Sequence, residues 1–191
     1  LKSLIFATAN AYKLAELRAI LPQFTIKGLT DIGIHEDIPE TGLTLEENAY
    51  IKAKYLYDRT GAPSFSEDTG LEVMALEGQP GVHTARYAGD QRNPNDNMAK
   101  LLQALSKKED RTAQFRTVIA MVEDGNVKYF EGIVKGRIAL EKSGNEGFGY
   151  DPIFIPDGYD HTFADLSNDI KNQISHRARA VQKLVEFLID F

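Results

Sequence analysis

The stretch TAQFRTVIAMVEDGNVKYFEGIVKGRIAL constrains the fold more than any other part of this chain. It holds two long runs rich in β-branched and aromatic residues, joined by Asp124, Gly125 and Asn126, residues that tolerate the positive φ angles a tight hairpin demands. Two adjacent antiparallel strands of that length commit the protein to a sizeable sheet. Around them the apolar spacing changes to the helical period. SLIFAT reads as a short strand, after which Asn10 caps a helix carrying Leu14, Leu17 and Leu21 on one stripe. FTIKGL reads as another strand. A helix is expected from Thr44, where Thr44 and Glu47 match a capping box and Leu45, Ala49, Ala53 and Leu56 form the apolar face.

APSFSEDTGLEVMAL is expected to be a buried strand running into a turn at Asp68 and Gly70, and PGVHTARYAG to be a loop. A helix is expected near Asp96 to Leu105, with Met98, Leu101, Leu102 and Leu105 inward. Gly144, Gly147 and Gly149 mark a loop that exposes backbone, and a last amphipathic helix carries Ala178, Val181, Leu184, Val185 and Leu188. The fold class is therefore α/β, a mixed β-sheet flanked by helices. With 191 residues and neither repeat nor linker, a single domain spanning 1–191 is the expectation.

Composition narrows the function classes. A net charge of -6 opposes binding to polymeric nucleic acid through many phosphates, but leaves room for a small anion in one basic pocket. The absence of cysteine removes disulfides and thiolate metal sites, and suits a reducing compartment. No run reaches the roughly 20 apolar residues of a membrane span, and LKSLIFATANAYK has neither the apolar centre nor the cleavage site of a secretory signal, so the cytoplasm is expected.

Five places carry chemistry. TANAYK puts Thr8 and Asn10 at a strand-to-helix junction with Lys13 in the first turn, where backbone N–H groups, the helix dipole and an ammonium favour phosphate. It is not a P-loop of the Gly-rich type. Asn48 and Lys52 stand four residues apart and share a helix face opposite the apolar stripe. Glu40, before a Thr-Gly turn, and the adjacent Glu67 and Asp68 are hard oxygen donors suited to a divalent cation. GNEGFGYDP joins permissive glycines to Phe148 and Tyr150, whose faces can stack on a base. Lys171, His176 and Arg177 gather hydrogen-bond donors just before the last helix. Each of these taken singly also has a bland explanation: a cap, a solvated helix face, turn acids, core aromatics, a surface His-Arg pair.

Taken together, TANAYK, ETGLTLEENAYIKAK, SFSEDTGLEV, PGVHTARYAG, GFGYDPIFIP and FADLSNDIKNQISHRARA resemble, in order and spacing and over nearly the whole chain, the inosine triphosphate pyrophosphatase family. The resemblance implies a long mixed sheet in two lobes around a nucleotide cleft, usually in a homodimer, and hydrolysis of free non-standard purine nucleoside triphosphates (ITP, dITP, XTP) between the α and β phosphates. It further implies that Thr8, Ala9, Asn10, Ala11, Tyr12 and Lys13 cradle the triphosphate, with Lys52 as a second cation. Glu40 and Asp68 would hold Mg2+, with Asp68 also the proton acceptor for the attacking water and Thr69 a substrate-contacting hydroxyl. Phe148, Gly149, Tyr150 and Asp151 resemble the base-stacking loop, and Lys171, His176 and Arg177 the group that recognises the nucleotide. Glu67 stands where many relatives carry Asp, and Thr69 replaces a more usual Ser. Two rival readings remain: a related pyrophosphatase for methylated or pyrimidine triphosphates, and a silent nucleotide-binding module. SHRARA and GFGYDP speak against the first, and the joint presence of Glu40, Asp68 and Lys52 against the second.

Overall fold

The computed structural model describes residues 3–189. Six strands form one mixed sheet in the order β2-β1-β3-β4-β5-β6. They are β1 (Ser3–Phe6), β2 (Thr25–Lys27), β3 (Ser64–Val73), β4 (Thr112–Glu123), β5 (Asn126–Ile138) and β6 (Phe154–Pro156). The helices are α1 (Ala11–Ile20), α2 (Leu45–Thr60), α3 (Pro94–Ala104), α4 (Asn168–Ile174) and α5 (His176–Ile189). β1 runs parallel to β2 and to β3, whereas β5 and β6 are antiparallel. The β4–β5 hairpin turns on Asp124 and Gly125, with φ of 51° and 75°, and Asn126 already belongs to β5. Two consecutive positive φ angles match the right-handed twist of the flanking strands. Among the described residues no helix is long and apolar enough to cross a membrane.

The chain forms two compact units, one of residues 1–68, 118–131 and 180–191, the other of 69–117 and 132–179. The first unit packs Leu4, Phe6 and Phe65 of the sheet against Leu17 and Leu21 of the α1 segment and against Val181, Leu184 and Leu188 of α5. The rings of Phe6 and Phe65 stack at 4.9 Å. In the second unit, Leu71, Val73, Phe115 and Ile138 meet Met98 and Leu101 of α3, with Phe154 and Phe163. Each fully buried Leu or Phe contributes about 1.5–3 kcal/mol by leaving water, which is why helical stripes and strand alternation decide these elements.

Several local expectations are corrected. No turn breaks the chain at Asp68 and Gly70: β3 continues through both to Val73. Phe65, Leu71 and Val73 are fully buried, so burial and pairing with neighbouring strands outweigh the turn preference of Asp and Gly. PGVHTARYAG contains a 3-10 helix over Gly81–Arg86. α3 starts two residues before Asp96, because the Asn93 side chain accepts from Asn95 N and Asp96 N and Pro94 fits the first helical position. Thr44 Oγ1 caps Glu47 N as expected, but the Glu47 carboxylate reaches back to Leu43 N at 2.6 Å instead of to Thr44.

Candidate active site

In the first unit, β1 leads directly to the N-terminus of α1. Asn10 Oδ1 accepts from Tyr12 N at 3.0 Å and Lys13 N at 3.2 Å, and Asn10 N donates to Thr8 Oγ1. Three of the N–H groups that the sequence offers to an anion are thus satisfied within the TANAYK turn itself, because Asn is the strongest of N-caps and Thr8 closes a local hydroxyl turn. What the junction presents outward is the dipole of a ten-residue helix and Lys13. Ala9, Ala11 and Tyr12 line it as exposed residues, the Tyr12 side chain standing well out in solvent. Lys13 Nζ lies 2.9 Å from Glu67 Oε1, and that carboxylate is buried.

α2 supplies the neighbouring groups. Leu45, Ala49, Ala53 and Leu56 fix the helix through its buried stripe, which aims Asn48 and Lys52 at the Glu40 loop and at β3. Lys52 Nζ donates to Glu40 Oε1 at 2.7 Å and to Glu67 O at 2.8 Å, and stands 3.8 Å from Asp68 Oδ1. Asn48 is buried and accepts from Gly42 N at 2.8 Å. Asp68 Oδ2 is buried without a hydrogen-bond partner. Burial pushes the Asp68 carboxyl above the usual carboxylate range; Lys52 opposes that shift and the Glu40 charge adds to it.

Glu40, Glu67 and Asp68 face Lys13 and Lys52 in this cluster. A buried carboxylate oxygen with nothing to accept from is costly in a protein interior. Among the described residues no group of three or more His, Cys, Asp or Glu side chains is spaced to enclose a metal ion. Mg2+ does not require that: it keeps several waters and takes one or two carboxylates together with substrate phosphates. Asp68 and Glu40, the first with an open oxygen, fit that donor set.

The second unit holds the remaining candidates. Thr69 Oγ1 shares a 2.8 Å hydrogen bond with Thr117 Oγ1, and Thr117 is fully buried on β4. Sequence reasoning passed over Thr117; a threonine inside the apolar run of β4 is the signal that pointed to it. Lys171 and Asp151 form a buried ion pair at 2.5 Å, and Asp151 Oδ2 also accepts from Phe148 N at 2.9 Å. Gly147, at φ 75°, makes room for that pair, since a Cβ there would lie 2.1 Å from Asp151 Oδ2. Two rings expected to be alike are different. Tyr150 sits in the core and donates to Thr84 O, with burial raising its hydroxyl far above the ordinary value, while Phe148 is 46% exposed. Lys171 Nζ lies 4.8 Å and Arg177 Cζ 5.6 Å from the Phe148 ring centre.

Lys171 belongs to α4, and His176 and Arg177 open α5 instead of preceding it. All three are buried, which removes the bland reading of a surface His-Arg pair; the His176 ring stacks on Phe115 at 4.7 Å. Gly149, at φ 62°, has open space where a Cβ would be. The structure thus brings Lys13, Glu40, Asn48, Lys52, Glu67 and Asp68 into one charged cluster in the first unit. It brings Phe148, Asp151, Lys171 and Arg177 together in the second.

An α/β protein with a mixed sheet, a dipole-and-lysine helix start and a carboxylate-lysine cluster belongs to the class equipped to handle small phosphorylated compounds. Within that class the chain belongs to the Ham1 family, whose model matches residues 4–187. A dITP/XTP pyrophosphatase of Flavobacterium psychrophilum is 52% identical over 185 residues, covering 96% of this chain and 97% of that protein. The Staphylococcus aureus Ham1 protein superposes with a TM-score of 0.93 at 41% identity, covering 99% of each chain. A HAM1 protein from Coxiella burnetii gives a TM-score of 0.94 at 37% identity, covering 100% of each.

Proposed function

We propose that the protein hydrolyses non-standard purine nucleoside triphosphates, ITP, dITP and XTP, to the monophosphate and pyrophosphate, the whole chain 1–191 serving as one pyrophosphatase domain. The observation that carries this reading is the cluster of Glu40, Lys52 and Asp68 on a chain so similar to dITP/XTP pyrophosphatases. Such an enzyme removes these nucleotides from the free pool before they enter DNA or RNA. In this reading it works on free nucleotides as a cytoplasmic homodimer, away from polymeric nucleic acid and membrane.

Lys13, Lys52 and the α1 N-terminus neutralise the triphosphate, with Thr8 to Lys13 as its cradle. Mg2+, held by Glu40 and Asp68, would supply further charge neutralisation at the phosphates when bound. Asp68, made more basic by burial, takes a proton from the attacking water. The water oxygen forms a new P–O bond at the α–β anhydride, the bridging P–O bond breaks, and its electron pair leaves with pyrophosphate. Thr69, set by Thr117, offers a hydroxyl to the substrate, and Phe148 stacks on the base while Gly149, Tyr150 and Asp151 hold its loop. Lys171, His176 and Arg177 recognise the nucleotide. Arg177 donating to a 6-oxo group meets only another donor in adenine, so the wrong base leaves both unsatisfied.

The test compares kcat/KM for ITP and ATP in the wild type and in Arg177→Ala. A charge-assisted hydrogen bond contributes about 1.5–3 kcal/mol, so the ITP preference falls roughly ten- to a hundredfold. Equal losses on both substrates would instead make Arg177 a phosphate clamp.

A further inference from the structure

The PGVHTARYAG segment has no part in the chemistry assigned above, yet it is tied down at several points. Its 3-10 helix, Gly81–Arg86, lies against β3: Leu71 N donates to Thr84 Oγ1 at 2.9 Å, and just before the helix Gln79 O accepts from Val73 N at 3.1 Å. β1 ends at Phe6, opposite Phe65, so these N–H groups lie past its end. A strand N–H ordinarily finds a backbone carbonyl; here a side-chain hydroxyl serves Leu71, a fully buried residue. α3 holds the same segment. Asn97, 3% exposed, accepts from Ala88 N at 2.7 Å and donates to Ala85 O at 3.0 Å, and Lys100 Nζ donates to Tyr87 O at 2.7 Å. Both ends of the Asn97 amide are used, which makes this turn a fixed support.

Thr84 is the point where that support meets the glycine-rich loop. Its hydroxyl donates to Gly81 O at 2.6 Å while accepting from Leu71 N, and its carbonyl accepts from Tyr150 Oη at 2.8 Å. One residue thus joins its own turn, β3 two residues past Thr69, and the loop of Phe148 and Tyr150. Glycine at 147 and 149, with φ of 75° and 62°, leaves that loop pliable by itself. Its fixed points come from outside. A tyrosine only 4% exposed needs a partner for its hydroxyl, and Thr84 O provides one. The place of Tyr150 is thereby set, two residues from the half-exposed Phe148 ring. Asp151 supplies the next fixed point through Lys171 and Phe148 N.

We propose that Thr84 is a positioning residue for base recognition: by tying Tyr150 to the turn that rests on β3, it fixes where the Phe148 ring meets the purine. The inference rests on the reading of Phe148 as the base platform given under the proposed function. Stacking of a base on an aromatic side chain changes affinity by about five- to 150-fold when lost. A displaced ring forfeits part of that, and the loss falls on ligands that carry a base and spares those that carry only phosphate.

The experiment measures the binding of IMP and of pyrophosphate by titration calorimetry with Mg2+, in wild type, Thr84→Val, Thr84→Ser, Tyr150→Phe and Phe148→Ala. Thr84→Val keeps the shape but removes the hydroxyl from Leu71 N and Gly81 O. The expected result is IMP affinity at least about fivefold lower with pyrophosphate affinity within about twofold, and both restored in Thr84→Ser, which keeps the hydroxyl. IMP affinity within twofold of wild type in a folded Thr84→Val protein, or equal losses for IMP and pyrophosphate, would overturn the proposal. If Thr84→Val does not fold, Tyr150→Phe decides by the same thresholds, since it cuts the tie to Thr84 O and keeps the ring. Phe148→Ala separates the two levels: unchanged IMP affinity in that variant refutes the base platform itself and the positioning role with it, whereas a loss there beside an unaffected Thr84→Val refutes the role of Thr84 alone.

Discussion

Removing the Lys171 ammonium while keeping its bulk, as Lys171→Met, leaves the Asp151 carboxylate buried with its bond from Phe148 N but without its cation. The two side chains are 8% and 5% exposed, so water does not replace the lost partner. Breaking a buried ion pair on one side costs about 3–5 kcal/mol. With unfolding entropy near 2.1 cal/mol/K per residue, a 191-residue chain loses about 2.5 °C of Tm per kcal/mol, so Tm drops by roughly 7–12 °C. The double variant Lys171→Met with Asp151→Asn removes both charges, and most of the loss returns, giving a coupling of about 2 kcal/mol or more. Urea and thermal unfolding of wild type, both single variants and the double variant supply the cycle. A single-variant cost below about 1 kcal/mol, or a double variant no more stable than Lys171→Met, would refute the argument that this pair is buried and interdependent.

Asn10→Ala removes the acceptor of Tyr12 N and Lys13 N, and unfolding should show a loss of about 1 kcal/mol with the same fold by circular dichroism; no change in stability would contradict the cap. The raised Asp68 carboxyl means that the native state holds this proton more tightly than the unfolded chain does. Its contribution to stability is therefore fully present below the ordinary carboxylate range and is lost as pH rises through the raised native value. In metal-free buffer at pH 7.5, Asp68→Asn should thus be more stable than wild type by about 0.5–2 kcal/mol while nearly inactive. Destabilisation of that variant at pH 7.5, measured by urea unfolding in EDTA, would show that burial of the charge is not the governing cost.

Much of this was readable from the residues. The Asn10 cap, the apolar stripe of α2 and the Asp124-Gly125 hairpin each follow from local rules that tertiary structure did not overrule. β3 did not follow, because Asp68 and Gly70 look like a turn until the burial of Leu71 and Val73 carries the strand past them. The pairing of Lys13 with Glu67 and of Lys171 with Asp151 joins residues far apart in sequence, and no spacing rule reports such contacts. The difference between Phe148 and Tyr150 was equally hidden: two aromatic residues in one glycine-rich loop have the same pattern, and only the core around Tyr150 and the acceptor at Thr84 O separate them.

The central claim is the bond that is cut, and product analysis tests it most directly. ITP incubated with the protein and Mg2+, separated by ion-exchange chromatography and assayed for both inorganic products, should yield IMP and pyrophosphate in equal amounts from the first time point. IDP with inorganic phosphate, or no turnover of ITP by folded protein, would contradict the account.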